Sequence, residues 1–168
     1  MKIADWPLVG DQIDNARSLA EMDEGRPRPA SLRRAVSTAY YALFQALCAL
    51  CVDELVGWDG SWDAVTPIYR SLEHGAVGRA LYADSSTNDP ELKRLGAAFK
   101  ELQTAREWAD YNPEPRPNYH GRTNSEPFKR DEALLLIDTA SKAIQILDRL
   151  DDDRRLTLAA RLASRNRK

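Results

Sequence analysis

The chain is poor in the residues that most often carry recognisable chemistry. It has 2 cysteines and 2 histidines in 168 residues. Cys48 and Cys51 share a C-x-x-C spacing, but no second cysteine pair completes a zinc site. They sit in the apolar run Leu43-Phe44-Gln45-Ala46-Leu47-Cys48-Ala49-Leu50-Cys51-Val52, where buried core thiols are expected. No Asp, Glu, His or Cys set has metal-ligand spacing, so neither a metal nor another cofactor is expected. There is no P-loop and no dinucleotide fingerprint. No N-terminal basic-then-apolar segment resembles a signal peptide, and no apolar run approaches the ~20 residues that span a bilayer. The expected location is therefore cytoplasmic, with reduced thiols and no membrane partner.

Net charge is only −2, which excludes a general polyanion binder. The charge is unevenly placed. The first helix candidate carries Asp11, Asp14, Glu21, Asp23 and Glu24, and the last stretch carries Arg154, Arg155, Arg161, Arg165, Arg167 and Lys168. A basic tail of this kind holds RNA, an acidic partner or a membrane surface, or is simply a solvated terminus.

No period-2 strand pattern and no internal repeat is present. Helical periodicity runs throughout, so the expected fold is all-α, an up-and-down bundle of four to five helices. The length fits one domain, residues 1–150, followed by a basic C-terminal extension, 151–168. A first helix is expected over 9–24, with Val9, Ile13, Ala16 and Ala20 inward. Gly25-Arg26-Pro27-Arg28-Pro29 breaks it. A long second helix follows, striped by Leu32, Val36, Ala39, Leu43, Leu47 and Leu50, and it fades near Gly57-Trp58-Asp59-Gly60. Ser61 caps a third helix containing Tyr69, Leu72, Val77 and Leu81, with Pro67 tolerated near its start or at a kink. Asp89 followed by Pro90 opens a fourth, which stops by Asn112 because Pro113 comes next. A fifth opens near Phe128 or Lys129, with Ala133, Ile137, Ala140, Ile144 and Leu147 inward. Asp151-Asp152-Asp153 then interrupts the pattern before a short amphipathic extension.

The most informative segment is Arg106-Glu107-Trp108-Ala109-Asp110-Tyr111-Asn112-Pro113. Leu92, Leu95, Phe99 and Leu102 form the inward stripe of the fourth helix, and Arg106 is its next position. A guanidinium in place of a core leucine is costly unless it is paired or faces a wet cleft. Arg106 is thus an internal ion-pair anchor, with Asp110, Glu107 or a carboxylate on another helix, or part of a site. Of the adjacent Tyr40 and Tyr41, one packs in the core and the other presents its hydroxyl to a partner or to the Arg106 region. Trp58 and Trp62 flank a turn, where helix packing, an interface anchor or base stacking each accounts for them.

Three segments occur in order: Ala39-Tyr40-Tyr41-Ala42-Leu43-Phe44, Arg106-Glu107-Trp108-Ala109-Asp110-Tyr111, and Phe128-Lys129-Arg130-Asp131-Glu132-Ala133 continuing to Ala140-Ser141-Lys142-Ala143. Together they resemble a HEPN domain (higher eukaryotes and prokaryotes nucleotide-binding) over residues 30–150. The resemblance implies a four- or five-helix bundle, commonly a homodimer. It also implies a metal-independent ribonuclease, such as the toxin of a toxin–antitoxin or defence system with a cognate protein partner. The alternative is a non-catalytic module that binds RNA, a nucleotide or a protein. Active members of the family carry Arg-x4–6-His, and two copies meet across a dimer. The arginine holds the scissile phosphate, and the histidine assists proton transfer as the 2′-hydroxyl attacks.

Arg106 matches the motif arginine, but Tyr111 stands where the histidine belongs. A tyrosine titrates near ~10 and is a poor base at neutral pH, although it donates a hydrogen bond to phosphate. Asp110 is a second candidate base, at the cost of repulsion from the phosphate. Arginine alone stabilises charge without moving protons. Two accessory groups are candidates for the missing proton transfer. His74 lies four residues after Arg70, which would place both on one helical face as a phosphate site, or leave a boundary histidine. His120 lies in the loop Arg116-Pro117-Asn118-Tyr119-His120-Gly121-Arg122, where it either swings toward Arg106 or is simply solvated.

Overall fold

Proline, aspartate and glycine positions set where the helices begin and end. In the computed structural model, which describes residues 2–84, 89–111 and 128–164, every regular element is helical. After a 3-10 turn at Ile3–Asp5, α1 spans Pro7–Glu21 and starts on a proline, whose missing N–H costs nothing in a first turn. Val9, Ala16 and Ala20 are buried. Gly25, at φ 75°, turns the chain toward α2.

The second helix, α2 (Pro29–Leu55), again begins on proline. It ends where Gly57, at φ 81°, donates its N–H to Val52 O at 2.8 Å. Its middle is buried on every side, because α1, α3, α5, α6 and α7 all pack around it. By length and composition α2 is apolar enough to cross a bilayer, contrary to the expectation that no such run exists. The reason is its central place: a helix enclosed by neighbours is apolar all round. Its most apolar stretch is 78% buried by protein.

The expected third helix is two helices, α3 (Trp62–Tyr69) and α4 (His74–Asp84). Ser71 closes α3: its N–H donates to Ile68 O at 3.1 Å and its Oγ donates to the same oxygen at 2.8 Å. A new helix then opens, with Val77 N–H donating to Glu73 O at 2.9 Å. Arg70 and His74 are therefore not on one helical face. Arg70 caps α3 and is exposed, and His74 is the first residue of α4.

Next comes α5 (Pro90–Tyr111), with Asp89 Oδ1 accepting the N–H of Glu91 at 2.9 Å and of Leu92 at 3.3 Å. Its inward stripe is Leu95, Phe99, Leu102, Ala105 and Ala109. Backbone approaches backbone closely at Gly96, where an added Cβ would stand 3.0 Å from Leu81 O of α4. The sixth helix, α6, covers Arg130–Arg149.

The last element, α7 (Asp152–Ala163), brings the described helices to seven instead of four to five. Asp151 caps it, accepting Arg154 N–H at 2.9 Å. Leu158, Ala159 and Leu162 are buried in the common core. Arg154 and Arg155 are not part of a solvated basic tail. Arg154 pairs with Asp89 at 2.5 Å and Glu91 at 3.1 Å, tying α7 to the start of α5. Arg155 pairs with Asp53 at 2.9 Å and Glu54 at 2.6 Å, tying it to the end of α2. Arg165, Arg167 and Lys168 of the expected tail lie outside the described residues.

Candidate functional site

Arg106 reaches the seam between α5 and α2 from the inward stripe of α5. Its side chain is only 13% exposed, so its charge needs partners. Nη2 donates to Tyr41 Oη at 2.7 Å and to Tyr111 Oη at 3.1 Å. Nε stands 2.9 Å from Asp110 Oδ2, one turn along the helix. That N–H is not aligned on the carboxylate, so the contact is an ion pair, and buried Nε makes no hydrogen bond. The guanidinium carbon also lies 5.7, 5.4 and 5.0 Å from the ring centres of Tyr40, Tyr41 and Tyr111. Burial opposes its charge. Tyr41, Tyr111 and Asp110 outweigh that and hold its pKa above the ordinary arginine value.

The two tyrosines of α2 divide their work. Tyr41 is half-buried and turns its hydroxyl to Arg106. Tyr40 is fully buried against Phe99, and its hydroxyl lies 2.7 Å from Nδ1 of His74. Burial pushes the Tyr40 phenol far above its usual range, so it remains a neutral O–H.

The break between α3 and α4 is what delivers His74 here. As the first residue of α4, it places its ring 4.0 Å from the Phe44 ring and 5.6 and 5.9 Å from those of Tyr40 and Tyr41. Burial first, then the nearby Arg106 charge, lowers its pKa below 6.5, so at neutral pH the imidazole is uncharged. A neutral imidazole with Tyr40 on Nδ1 has one nitrogen left. His74 Nε2 makes no hydrogen bond among the described residues, and the same is true of Arg106 Nη1. Neither atom is sealed and unpartnered as Nε is.

The structure thus gathers Tyr41, His74, Arg106, Asp110 and Tyr111 around one seam. It leaves Arg70 outside, exposed at the end of α3. His120, with Arg116 and Arg122 of its loop, lies outside the described residues. Tyr111 is 69% exposed despite its bond to Arg106. Trp58 belongs elsewhere, packed 5.1 Å from Trp6, which also meets Tyr69 at 5.6 Å. Trp62 is 73% exposed.

Sequence reasoning missed three groups. Tyr40 is the partner of His74, a pairing that depends on where the start of α4, packed along α5, meets α2. Phe44 is the surface on which His74 rests. Arg33 of α2 donates from Nε to Ala109 O at 2.6 Å and from Nη2 to Trp108 O at 3.1 Å. A signal for Arg33 did exist. The helical partner of Ala109 O would be the N–H of residue 113, which is proline.

Among the described residues no group of three or more His, Cys, Asp or Glu is arranged to hold a metal ion. Cys48 and Cys51 are buried free thiols, and burial pushes each pKa up to about 12. The chain matches no protein-family model, and neither the curated proteins nor the solved structures compared with it give a match.

Proposed function

We propose that this chain is a HEPN-like, metal-independent endoribonuclease, of the toxin or defence kind, in which His74 takes the place of the motif histidine. The observation that carries the reading is the position of His74. It comes from another helix, yet it flanks the same Tyr40–Tyr41 pair as Arg106. The seam then offers one fixed cation and one neutral imidazole, the two groups that phosphodiester transesterification needs. His74 Nε2 accepts the proton of the 2′-hydroxyl. The 2′-oxygen attacks phosphorus, and the bond to the 5′-oxygen breaks. Arg106 Nη1 stabilises the charge on the non-bridging oxygens, and solvent protonates the leaving 5′-oxygen. Tyr111 and Asp110 orient Arg106. Neither acts as the base. In this reading the working form is a cytoplasmic homodimer acting on RNA, held in check by a cognate protein.

A second reading has its own observation. Arg106 is already engaged by Tyr41, Tyr111 and Asp110, as an arginine that only anchors the fold would be. On that reading the chain is a non-catalytic module for RNA, a nucleotide or a protein partner.

Purified protein incubated in EDTA with end-labelled structured RNAs decides between them, with Arg106→Lys and His74→Gln alongside. Cleavage by the wild type that is lost in both folded variants supports the ribonuclease. Folded wild type that leaves every RNA intact rejects it and favours the binding module.

A further inference from the structure

The end of α5 raises a problem that the sequence of α5 does not solve. A helix leaves its last carbonyl oxygens without intrahelical donors. At Ala109 the shortage is absolute, because the residue four places on is Pro113, which has no amide hydrogen. Asp110 and Tyr111 project from this same last turn, and Arg106, one turn earlier, is held by both of them. A frayed turn would move Asp110 and Tyr111 and so release Arg106 from two of the partners that hold it against Tyr41 and His74.

Arg33 supplies the missing donors from α2. Its guanidinium forks onto Ala109 O at 2.6 Å and Trp108 O at 3.1 Å. A cation at this point also suits the negative end of the helix dipole. Eight residues further along α2, Tyr41 accepts from Arg106 at 2.7 Å. The second helix therefore grips the end of α5 twice, by the carbonyls of its last turn and by the arginine of the turn before.

We propose that Arg33 is a positioning residue for the Arg106 site: by holding the carbonyls of Trp108 and Ala109 it fixes the last turn of α5, and with it the placement of Arg106, Asp110 and Tyr111 against Tyr41 and His74. The catalytic part of this inference rests on the ribonuclease reading above. The positional part does not.

The test follows His74 by NMR titration, together with RNA cleavage, in Arg33→Met, Arg33→Lys, Arg106→Met and the double variant Arg33→Met/Arg106→Met. Arg106 holds the His74 pKa down, so releasing Arg106 raises it. In Arg33→Met the titration of His74 is expected to move up in the same direction as in Arg106→Met. In the Arg106→Met background, removing Arg33 is expected to move it no further. Cleavage is expected to fall by about 100-fold in Arg33→Met, the scale of loss that follows a misplacement of about 1 Å. Arg33→Lys is expected to recover part of both effects, because it keeps the cation but loses the two-point fork. A folded Arg33→Met protein in which His74 titrates as in the wild type overturns the proposal. If Arg33→Met fails to fold, Arg33→Lys decides alone: an unchanged His74 titration there overturns it, and an upward shift supports it. If the wild type cleaves no RNA, the ribonuclease reading fails while the titration still decides what Arg33 does.

Discussion

Tyr40 Oη and His74 Nδ1 lie 2.7 Å apart, joining the middle of α2 to the first residue of α4. The neutral Tyr40 hydroxyl either donates to Nδ1 or accepts the proton that Nδ1 carries, and the base role of Nε2 requires the second arrangement, with the imidazole proton on Nδ1. A partner at Nδ1 also fixes the ring plane.

Tyr40→Phe removes this hydrogen bond without changing the aromatic packing on Phe99. We expect a loss of about 1 kcal/mol in stability, the usual net worth of one hydrogen bond. We also expect the imidazole to become mobile on Phe44, visible as broadened His74 ring signals in the NMR spectrum. Sharp, unmoved signals in Tyr40→Phe would show that packing alone holds the ring.

The lowered pKa of His74 sets a pH dependence whose sign is fixed. The folded protein holds the His74 proton less tightly than the unfolded chain, where the value is near 6.5. Stability linked to His74 is therefore complete above the unfolded value and is lost as pH falls through the lower folded value. Urea unfolding between about pH 7.5 and about pH 4.5 should show the wild type losing more stability on acidification than His74→Gln. Parallel pH profiles for the two proteins would remove His74 from the account. In cleavage assays the acid limb of kcat/KM should fall below the ordinary histidine value, because the base works once it is neutral.

Much of the fold is legible in local rules. Pro29, Asp89 with Pro90, and the inward stripes of α1, α2, α5 and α6 follow from periodicity and capping. The α3–α4 break does not. Tyr69, Leu72, Val77 and Leu81 keep helical spacing across it, and Arg70-Ser71-Leu72-Glu73 holds no Gly or Pro to mark it. The break is made by Ser71 folding back onto Ile68 O. Asp151-Asp152-Asp153 does mark an interruption, between α6 and α7, and it also supplies the cap and acidic first turn of α7. The Arg106 anomaly was visible as a charge on an apolar stripe. Its link to His74 was not, because only the packing of α4 along α5 brings the first residue of α4 to Tyr40 and Phe44 of α2.

The two thiols allow a simple check of the core. Cys48 and Cys51 are buried, and Cys51 Sγ donates weakly to Ala159 O at 3.7 Å. With pKa values pushed up to about 12, neither is a thiolate at neutral pH. A thiol-specific chromogenic reagent should label none in the native protein and both once denaturant unfolds it. Prompt labelling of the native protein would mean that α7 does not stay packed on α2.

The strongest test of that packing is Arg155, which is nine-tenths buried between Asp53 and Glu54. Its Nη1 also donates to Leu147 O at 3.2 Å, so one guanidinium joins α7, α2 and α6. Removing it leaves two mostly buried carboxylates, Asp53 and Glu54, without their shared cation. Arg155→Met is expected to cost about 3 kcal/mol, the scale for breaking a buried ion pair by deleting one partner. The companion Arg155→Met/Asp53→Asn/Glu54→Gln removes all three charges and should recover much of that loss, because neutral amides carry a far smaller desolvation penalty. Urea denaturation of the wild type, the single variant and the triple variant measures both steps. If Arg155→Met alone costs under about 1 kcal/mol, the pair behaves as an exposed surface pair, and α7 is held by Leu158, Ala159 and Leu162 alone.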